Sequence, residues 1–231
     1  MMETSRDLRS ALSLYVIPDR VIGAPLSLKE QARLAIEGGA TAIQLRDKSM
    51  DGGELLTTAR SIADMCSKSG ALFIVNDRLD VALLSGADGV HLGQHDLPLT
   101  EARRLVSSLL PVPLPFFIGI SVHSASQAGR AEADGADYLG LGAVFGTGSK
   151  DDAKVIGLDG LREVKKSTKL PCVAIGGITL ENLPEVVAAG VDGVSVISAA
   201  VRGDVRTRTT DLSARLNSLS HKVMVKIGKN C

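Results

Sequence analysis

The residues of this chain that are best equipped for chemistry follow short apolar runs, and this pattern repeats along the sequence. In parallel α/β folds the active site lies where the strands end, because side chains and backbone N–H groups meet there. The polar residues in that position predict an anion-binding site. They are Gln44, Arg46, Lys48, Asn76, Asp77, Asp96, Ser121, His123, Thr147, Ser149, Lys150 and Ser198.

Gln44, Arg46 and Lys48 are spaced by two residues at the end of the run TAIQLRD (41–47). Side chains at that spacing share one side of a strand, so one amide and two cations can converge on a single ligand. A guanidinium fork beside a lysine suits a diphosphate. The alternative interpretation is a strand end whose charged side chains are simply solvated.

Asp77 and Asp96 follow the next two apolar runs and place two carboxylates beside this cationic group. Two carboxylates together with phosphate oxygens are the usual ligands of Mg²⁺, so the sequence predicts one Mg²⁺ per subunit. Each aspartate also has a purely structural interpretation. Asp77 could cap the following helix, and Asp96 could belong to a turn before Pro98.

A second set of candidates lies near the later runs and predicts a second phosphate subsite. Its loop member is rich in glycine and hydroxyl groups, although it does not match the nucleotide-binding pattern GxxxxGK[ST]. Its other members follow the last two runs, where barrels commonly bind phosphate through backbone N–H groups. The set comprises Thr147, Ser149 and Lys150 in one loop, and Gly177, Ile197 and Ser198 after the last two runs. Gly177 could equally be a tight helix cap.

Eight apolar, β-branched runs recur at even spacing, and helical patterns lie between most of them. Nearly continuous apolar character is typical of strands that are buried on both faces. The runs cover 12–18, 41–47, 72–77, 89–93, 116–122, 138–144, 171–177 and 193–198. The helical segments cover 27–39, 51–70, 78–88, 100–110, 124–135, 158–167 and 180–190.

Eight βα units in 231 residues predict a single-domain (β/α)8 TIM barrel. A doubly wound open sheet is the main rival fold, but the even spacing favours closure. The barrel is predicted to span residues 1–220 and to be followed by a flexible basic tail at 221–231. The signatures GGAT (38–41), SGAD (85–88), DGAD (134–137) and AGVD (189–192) precede strands, and each glycine is predicted to end a helix in a left-handed cap.

Composition and charge narrow the class of protein. The net charge is zero, aromatic residues make up 3%, and there is no basic stripe of the kind that binds nucleic acid. Three well-separated cysteines form no disulfide framework and indicate a reduced, cytoplasmic location. The uncharged stretch 105–129 is broken by three prolines, so it is interpreted as a helix end, a loop and a buried strand, not as a membrane span.

Taken together, these motifs resemble the thiamine phosphate synthase family. The resemblance covers about residues 12–200 in the order that the family shows, and seven motifs in register are far more specific than any one of them. The motifs are QLRDK (44–48), FIVNDR (73–78), DGVHLGQHD (88–96), GISVH (119–123), GADYLGLGAVFGTGSK (135–150), AIGGI (174–178) and DGVSVISA (192–199). Ser149 stands where the family usually has a second threonine, so the hydroxyl is kept.

The resemblance implies an enzyme that joins hydroxymethylpyrimidine diphosphate to a thiazole phosphate and releases pyrophosphate. It assigns the pyrimidine diphosphate to Gln44, Arg46, Lys48, Asn76, Ser121 and Lys150, and Mg²⁺ to Asp77 and Asp96. It assigns the thiazole phosphate to Thr147, Ser149, Gly177, Ile197 and Ser198. Arg46, Lys48, Lys150 and Ser121 are the residues expected to act in catalysis. A homo-oligomer is possible, and neither nucleic acid nor a membrane is an expected partner.

Three rival functions stay open at this point. A thiazole tautomerase-like barrel of the same superfamily could use His123 as an acid–base group, but such relatives tend to lack the full cationic and aspartate set. A sugar-phosphate epimerase or lyase would have no clear use for QLRDK. A regulatory barrel would bind ligand without turnover.

Overall fold

A computed structural model describes residues 7–109, 115–146 and 154–227. Within this part of the chain, eight parallel strands pair in chain order and close into one barrel. They are β1 (Leu14–Val16), β2 (Ala42–Leu45), β3 (Leu72–Asn76), β4 (Gly89–Leu92), β5 (Phe117–Val122), β6 (Tyr138–Leu141), β7 (Cys172–Ile175) and β8 (Gly193–Val196). The single-domain (β/α)8 barrel predicted from the apolar runs is therefore confirmed.

Helices surround the barrel and alternate with the strands. They are α1 (Leu8–Ala11), α2 (Leu28–Glu37), α3 (Gly52–Ser69), α4 (Leu79–Ser85), α5 (Leu99–Leu109), α6 (Ala125–Ala133), α7 (Gly157–Lys166), α8 (Leu183–Ala188), α9 (Ser198–Val201) and α10 (Val205–Ile227). The last helix continues past residue 220, and the division into a barrel at 1–220 and a flexible tail at 221–231 stays a prediction. No helix of the described residues is long and apolar enough to cross a membrane.

Two apolar clusters hold the barrel together. The larger lies between the sheet and the helices, and the smaller fills the inside of the barrel with side chains that include Leu72, Ile74 and Val173. Along β1, Leu14 and Val16 belong to the outer cluster while Tyr15 belongs to the inner one. This alternation directs every second strand residue into the barrel.

The recurring signatures before β2, β4, β6 and β8 close the amino-terminal end of the barrel. One glycine in each has positive φ, as predicted; these are Gly39, Gly86, Gly135 and Gly190, whereas Gly38 of the first signature has φ of −79°. The last residue of each signature exchanges two hydrogen bonds with the preceding odd-numbered strand. Its N–H donates to a strand carbonyl, and its side chain accepts from the N–H of the same strand residue. The pairs are Thr41 with Leu14, Asp88 with Phe73, Asp137 with Ile118, and Asp192 with Cys172.

Candidate active site at the carboxyl end of the barrel

The QLRDK segment spans the end of β2 and the loop that follows. Gln44 is 4% exposed and turns into the barrel, where its Nε2 donates to the Tyr15 hydroxyl at 2.8 Å. The strand ends at Leu45, so the spacing-by-two argument does not extend to Lys48. The loop instead brings the exposed Lys48 to the next strand end, where its Nζ lies 3.6 Å from Oδ2 of Asp77. Arg46, which lies between Gln44 and Lys48 in the sequence, is partly buried.

Asp47 braces this loop. Its carboxylate accepts from the backbone N–H groups of Ser49 and Met50, each at 2.9 Å, and from Nε of Arg20 at 2.8 Å. Burial disfavours the ionised form, but the hydrogen bonds from Ser49 and the Arg20 charge outweigh it and lower the pKa of Asp47. Asp47, which lies between Arg46 and Lys48 in the sequence, therefore has a structural role. Its ionised carboxylate fixes the loop that carries Lys48.

Asp77 lies directly after β3 in a conformation that few residues adopt. Its φ is +59°, and it is the single non-glycine residue with positive φ in the described chain. Such a conformation is costly for residues with a side chain, and it recurs at functional sites. Helix α4 begins at Leu79 with Arg78 in the cap position and no side-chain capping bond. The helix-cap interpretation of Asp77 therefore fails.

Asp96 lies in the loop after β4, where one carboxylate oxygen accepts from the N–H of Gly93 at 2.7 Å. The turn interpretation is thus correct for that oxygen, yet the Asp96 carboxyl also interacts directly with the carboxyl of Asp77. Burial raises the pKa of Asp77, Asp96 raises it further, and Lys48 acts in the opposite direction without cancelling these effects. Among the described residues, two acidic groups therefore lie close together in a partly buried position, and Lys48 does not offset their effect on the pKa of Asp77.

The donor chemistry of this pair fits Mg²⁺. Carboxylate oxygens are hard ligands, and a divalent cation would relieve the repulsion that the two groups exert on each other. The described residues contain no group of three or more His, Cys, Asp or Glu side chains that could hold a metal ion. The pair alone would therefore leave most coordination positions to phosphate and water oxygens, which is the usual arrangement for Mg²⁺.

Ser121 and His123 lie on the far side of the barrel mouth. The Ser121 hydroxyl lies 3.0 Å from Nε2 of His91, and Gln94 donates to the Ser121 carbonyl at 2.7 Å. Nδ1 of His123 is hydrogen-bonded to the carbonyl of Gly142 after β6. His123 therefore connects the ends of β5 and β6. Asn76, the last residue of β3, pairs in register with His91.

Three residues that the sequence analysis did not select connect the predicted site residues. The Tyr15 and Tyr138 hydroxyls lie 3.2 Å apart, and the Tyr138 hydroxyl lies 3.1 Å from Nδ1 of His91. His91 therefore links Tyr138 to the predicted site residue Ser121. One signal was available in the sequence. The chain has only two tyrosines, and both lie in apolar runs, where a buried hydroxyl needs a partner.

The second phosphate subsite is only partly described. Gly176 and Gly177 have φ of +103° and +63°, and a Cβ on either would come within 2.7 Å of residues 143–146. Only glycine therefore allows this close approach between the loops after β6 and β7. Thr147, Ser149 and Lys150 lie outside the described residues.

Ile197 and Ser198 stand at the start of α9, directly after β8. Ser198 opens onto a cleft of about 310 Å³ that is also lined by Arg202 and Arg208. Nε of Arg208 donates to the carbonyl of Ala199 at 2.8 Å, so this arginine is held against α9. Glu181 and Asp211 line the same cleft, so two carboxylates face the two arginines beside the end of β8.

Comparison with known proteins agrees with this geometry. Residues 14–200 match the family model described as thiamine monophosphate synthase. The thiamine-phosphate synthase of Coprothermobacter proteolyticus is 55% identical over 200 residues, which cover 87% of this chain and 92% of that protein. That of Methanoculleus marisnigri is 53% identical over 205 residues, covering 88% and 94%.

A solved structure also matches along nearly the whole chain. The thiamine phosphate pyrophosphorylase from Pyrococcus furiosus superposes with a TM-score of 0.84 at 44% identity, covering 92% of this chain and 99% of that one. The motifs at the strand ends, the closed barrel and these relatives lead to one conclusion: the chain is an enzyme and belongs to the thiamine monophosphate synthase family.

Proposed function

We propose that this protein is a thiamine-phosphate synthase that joins hydroxymethylpyrimidine diphosphate to a thiazole phosphate, forming thiamine phosphate and pyrophosphate. The observation that carries the proposal is the contact between Asp77 and Asp96 at the barrel mouth, with Lys48 at 3.6 Å. It lies in a chain that is 55% identical to a relative named for this activity. A paired carboxylate site beside cations is what a metal-bound diphosphate requires.

Asp77 and Asp96 would hold Mg²⁺. Mg²⁺ bound there would neutralise negative charge on the leaving diphosphate. Lys48 and Arg46 approach from β2 and would contribute cationic groups to the same phosphates. Because Asp47 fixes the loop between them through Ser49, Met50 and Arg20, little conformational entropy is lost when these cations engage the ligand.

The aminopyrimidine ring would lie deeper in the mouth, between Gln44 on β2 and Ser121 on β5. Both side chains are directed inward, and both are anchored by the buried tyrosine and histidine groups. The thiazole phosphate would be bound at the other end of the mouth, by backbone N–H groups of Gly177, Ile197 and Ser198. Arg202 and Arg208 lie beside that position, in a cleft that Glu181 and Asp211 also line.

The chemistry suits a site without a nucleophile. The carbon–oxygen bond between the pyrimidine methylene and the diphosphate breaks, and its electron pair leaves with the diphosphate. The electron-rich aminopyrimidine stabilises the methylene cation that results. The lone pair of the thiazole nitrogen then forms the carbon–nitrogen bond. The tasks left to the protein are orientation of both rings and stabilisation of the leaving charge.

The direct test supplies both substrates with Mg²⁺ and measures thiamine phosphate and pyrophosphate, which should form in equal amounts. Replacement of Lys48 by Ala should lower kcat/KM by about 100-fold, the scale of losing one charge-stabilising donor. Lys68→Ala is the matched control, because Lys68 is an exposed lysine on α3 that pairs only with Asp64 in the described structure.

Two outcomes would contradict the proposal. If the wild-type protein releases no pyrophosphate but isomerises a thiazole phosphate, the tautomerase-like alternative is correct instead. If the wild-type protein is active while Lys48→Ala and Lys68→Ala have equal activity, the diphosphate does not bind at the end of β2.

A further inference from the structure

A chain of four hydrogen bonds crosses the inside of the barrel and links two residues of the proposed pyrimidine site. Nε2 of Gln44 donates to the Tyr15 hydroxyl at 2.8 Å, and the Tyr15 and Tyr138 hydroxyls lie 3.2 Å apart. The Tyr138 hydroxyl lies 3.1 Å from Nδ1 of His91, and Nε2 of His91 lies 3.0 Å from the Ser121 hydroxyl. Both ends of the chain therefore belong to the proposed pyrimidine site.

The middle of this chain is sealed from water. Tyr15 is 2% exposed and Tyr138 is fully buried, and burial raises the pKa of both hydroxyls. Both tyrosines therefore keep their protons throughout the physiological range, and each has one proton to donate. In the described structure the Tyr15 hydroxyl contacts only Gln44 and Tyr138, so its proton has one available acceptor.

With the Gln44 amide oriented so that Nε2 faces Tyr15, these constraints set one direction for every bond. The Tyr15 hydroxyl accepts from Gln44 and donates to Tyr138. Tyr138 in turn donates to Nδ1 of His91, so the neutral imidazole carries its proton on Nε2 and donates it to the Ser121 oxygen. The Ser121 hydroxyl proton is then left for a ligand. At the other end, Gln44 has committed its amide nitrogen to Tyr15, and its Oε1 is left as an acceptor.

We infer that Tyr15, Tyr138 and His91 are positioning residues that select the aminopyrimidine by fixing Gln44 as a hydrogen-bond acceptor and Ser121 as a donor. The inference rests on the proposed function and deepens it. An aminopyrimidine offers both complements, because its exocyclic amino group donates and its ring nitrogens accept. A pyrimidine with an oxo group in place of the amino group would place two acceptors face to face at Gln44.

The sheet makes room for this chain at two glycines. A Cβ on Gly119 would lie 2.1 Å from Cζ of Tyr138 and 2.6 Å from Nδ1 of His91. A Cβ on Gly140 would lie 2.9 Å from Cε1 of His91. The two rings thus occupy the space that side chains at these positions would fill, and their centroids are 5.4 Å apart. The tyrosine–histidine contact is therefore held tightly by the packing.

Tyr138→Phe tests the inference because it removes the central hydroxyl and keeps the ring. In steady-state kinetics, the KM for the pyrimidine diphosphate should rise about tenfold, the scale of one hydrogen bond, while the KM for the thiazole phosphate stays unchanged. The preference for the amino over the oxo pyrimidine should fall by a similar factor. In a Ser121→Ala background the same substitution should have a smaller effect, since one end of the chain is already lost.

Thr209→Val is the matched control. Thr209 is fully buried on α10, its hydroxyl donates to the Val205 carbonyl at 2.7 Å, and valine keeps its shape. This substitution should lower the melting temperature without changing either KM. If Tyr138→Phe likewise lowers only the melting temperature, or raises both KM values equally, the tyrosine has a structural role alone and the inference is wrong.

A second measurement does not depend on turnover. Nitrogen-15 NMR of the histidine rings, assigned by a His91→Asn variant, should show His91 neutral with its proton on Nε2. A proton on Nδ1 would reverse the direction of the hydrogen bonds that His91 makes, and it would overturn the inference even if the enzyme makes thiamine phosphate. Failure of the proposed function would instead appear as an inactive wild-type protein, and the tautomer would still decide whether the chain runs as stated.

Discussion

The two ends of the barrel use aspartate in opposite ways. At the amino-terminal end, Asp192 accepts from the N–H of Cys172 at 2.8 Å and from Nζ of Lys165 at 2.7 Å, and it also pairs with Arg9. At the carboxyl-terminal end, Asp77 meets another carboxyl, that of Asp96, and the Lys48 ammonium lies 3.6 Å away. In the described structure Asp192 has two cationic partners, whereas Asp77 has one cationic partner and an acidic neighbour.

The pKa shifts of the two aspartates have opposite signs. Burial opposes ionisation of Asp192, but hydrogen bonds from Lys165, Cys172 and Arg9 outweigh it and lower the pKa. Burial and the neighbouring Asp96 raise the pKa of Asp77. The barrel is thus held together at one end and keeps uncompensated charge and an unfavourable backbone conformation at the other. This difference is expected where stability and ligand binding are assigned to separate faces of the fold.

The largest effect should follow from neutralising the carboxyl-terminal pair. Asp77→Asn and Asp96→Asn should each lower kcat by about 100-fold or more and weaken the dependence on Mg²⁺, because each removes a proposed ligand of the metal-bound diphosphate. The melting temperature should stay the same or rise, since like-charge repulsion is relieved. Activity assays with a Mg²⁺ titration, together with thermal unfolding, check both parts. Full activity with an unchanged Mg²⁺ dependence would refute the metal assignment.

The amino-terminal end should respond in the opposite way. Asp192→Asn removes the charge that Lys165 and Arg9 share, and it should lower the free energy of unfolding by about 2 kcal/mol. The activity per folded molecule should not change, because the substitution lies at the far end of the barrel. Urea unfolding and active-site titration measure the two quantities. A loss of kcat without a loss of stability would mean that the two ends are coupled.

The smallest expected effect is a change in the free energy of unfolding at acidic pH. The folded-state pKa of Asp192 lies below its ordinary value of 3.8, so its ionised form contributes stability at higher pH. That contribution is lost as the pH falls from about 3.8 through the folded-state pKa. The difference in unfolding free energy between wild type and Asp192→Asn should therefore be constant near neutrality and shrink below pH 4. A difference that grew in acid would contradict the lowered pKa.

Much of this molecule was predictable from the pattern of its residues. The eight runs became the eight strands, although most strands end one to three residues before the run does. One glycine in each of the four signatures took the left-handed conformation expected of it. Among the site residues, the sequence could not place Lys48 beside Asp77, because the contact depends on a loop that Asp47 folds back. The sequence also could not predict in which direction the side chain of His91 points.

The sequence by itself determined the architecture and the inventory of the site, because hydrophobic periodicity and glycine positions act locally along the chain. It left Asp77 and Asp96 with two interpretations each, since a carboxylate after a strand can cap a helix or bind a ligand. The structure removed the cap interpretation of Asp77, because Arg78 occupies the cap position of α4. Closure of the barrel also brought the loops that carry Asp77 and Asp96, nineteen residues apart in sequence, into contact. The hydrogen-bond chain from Gln44 to Ser121 was likewise set by closure, because its members come from β1, β2, β4, β5 and β6.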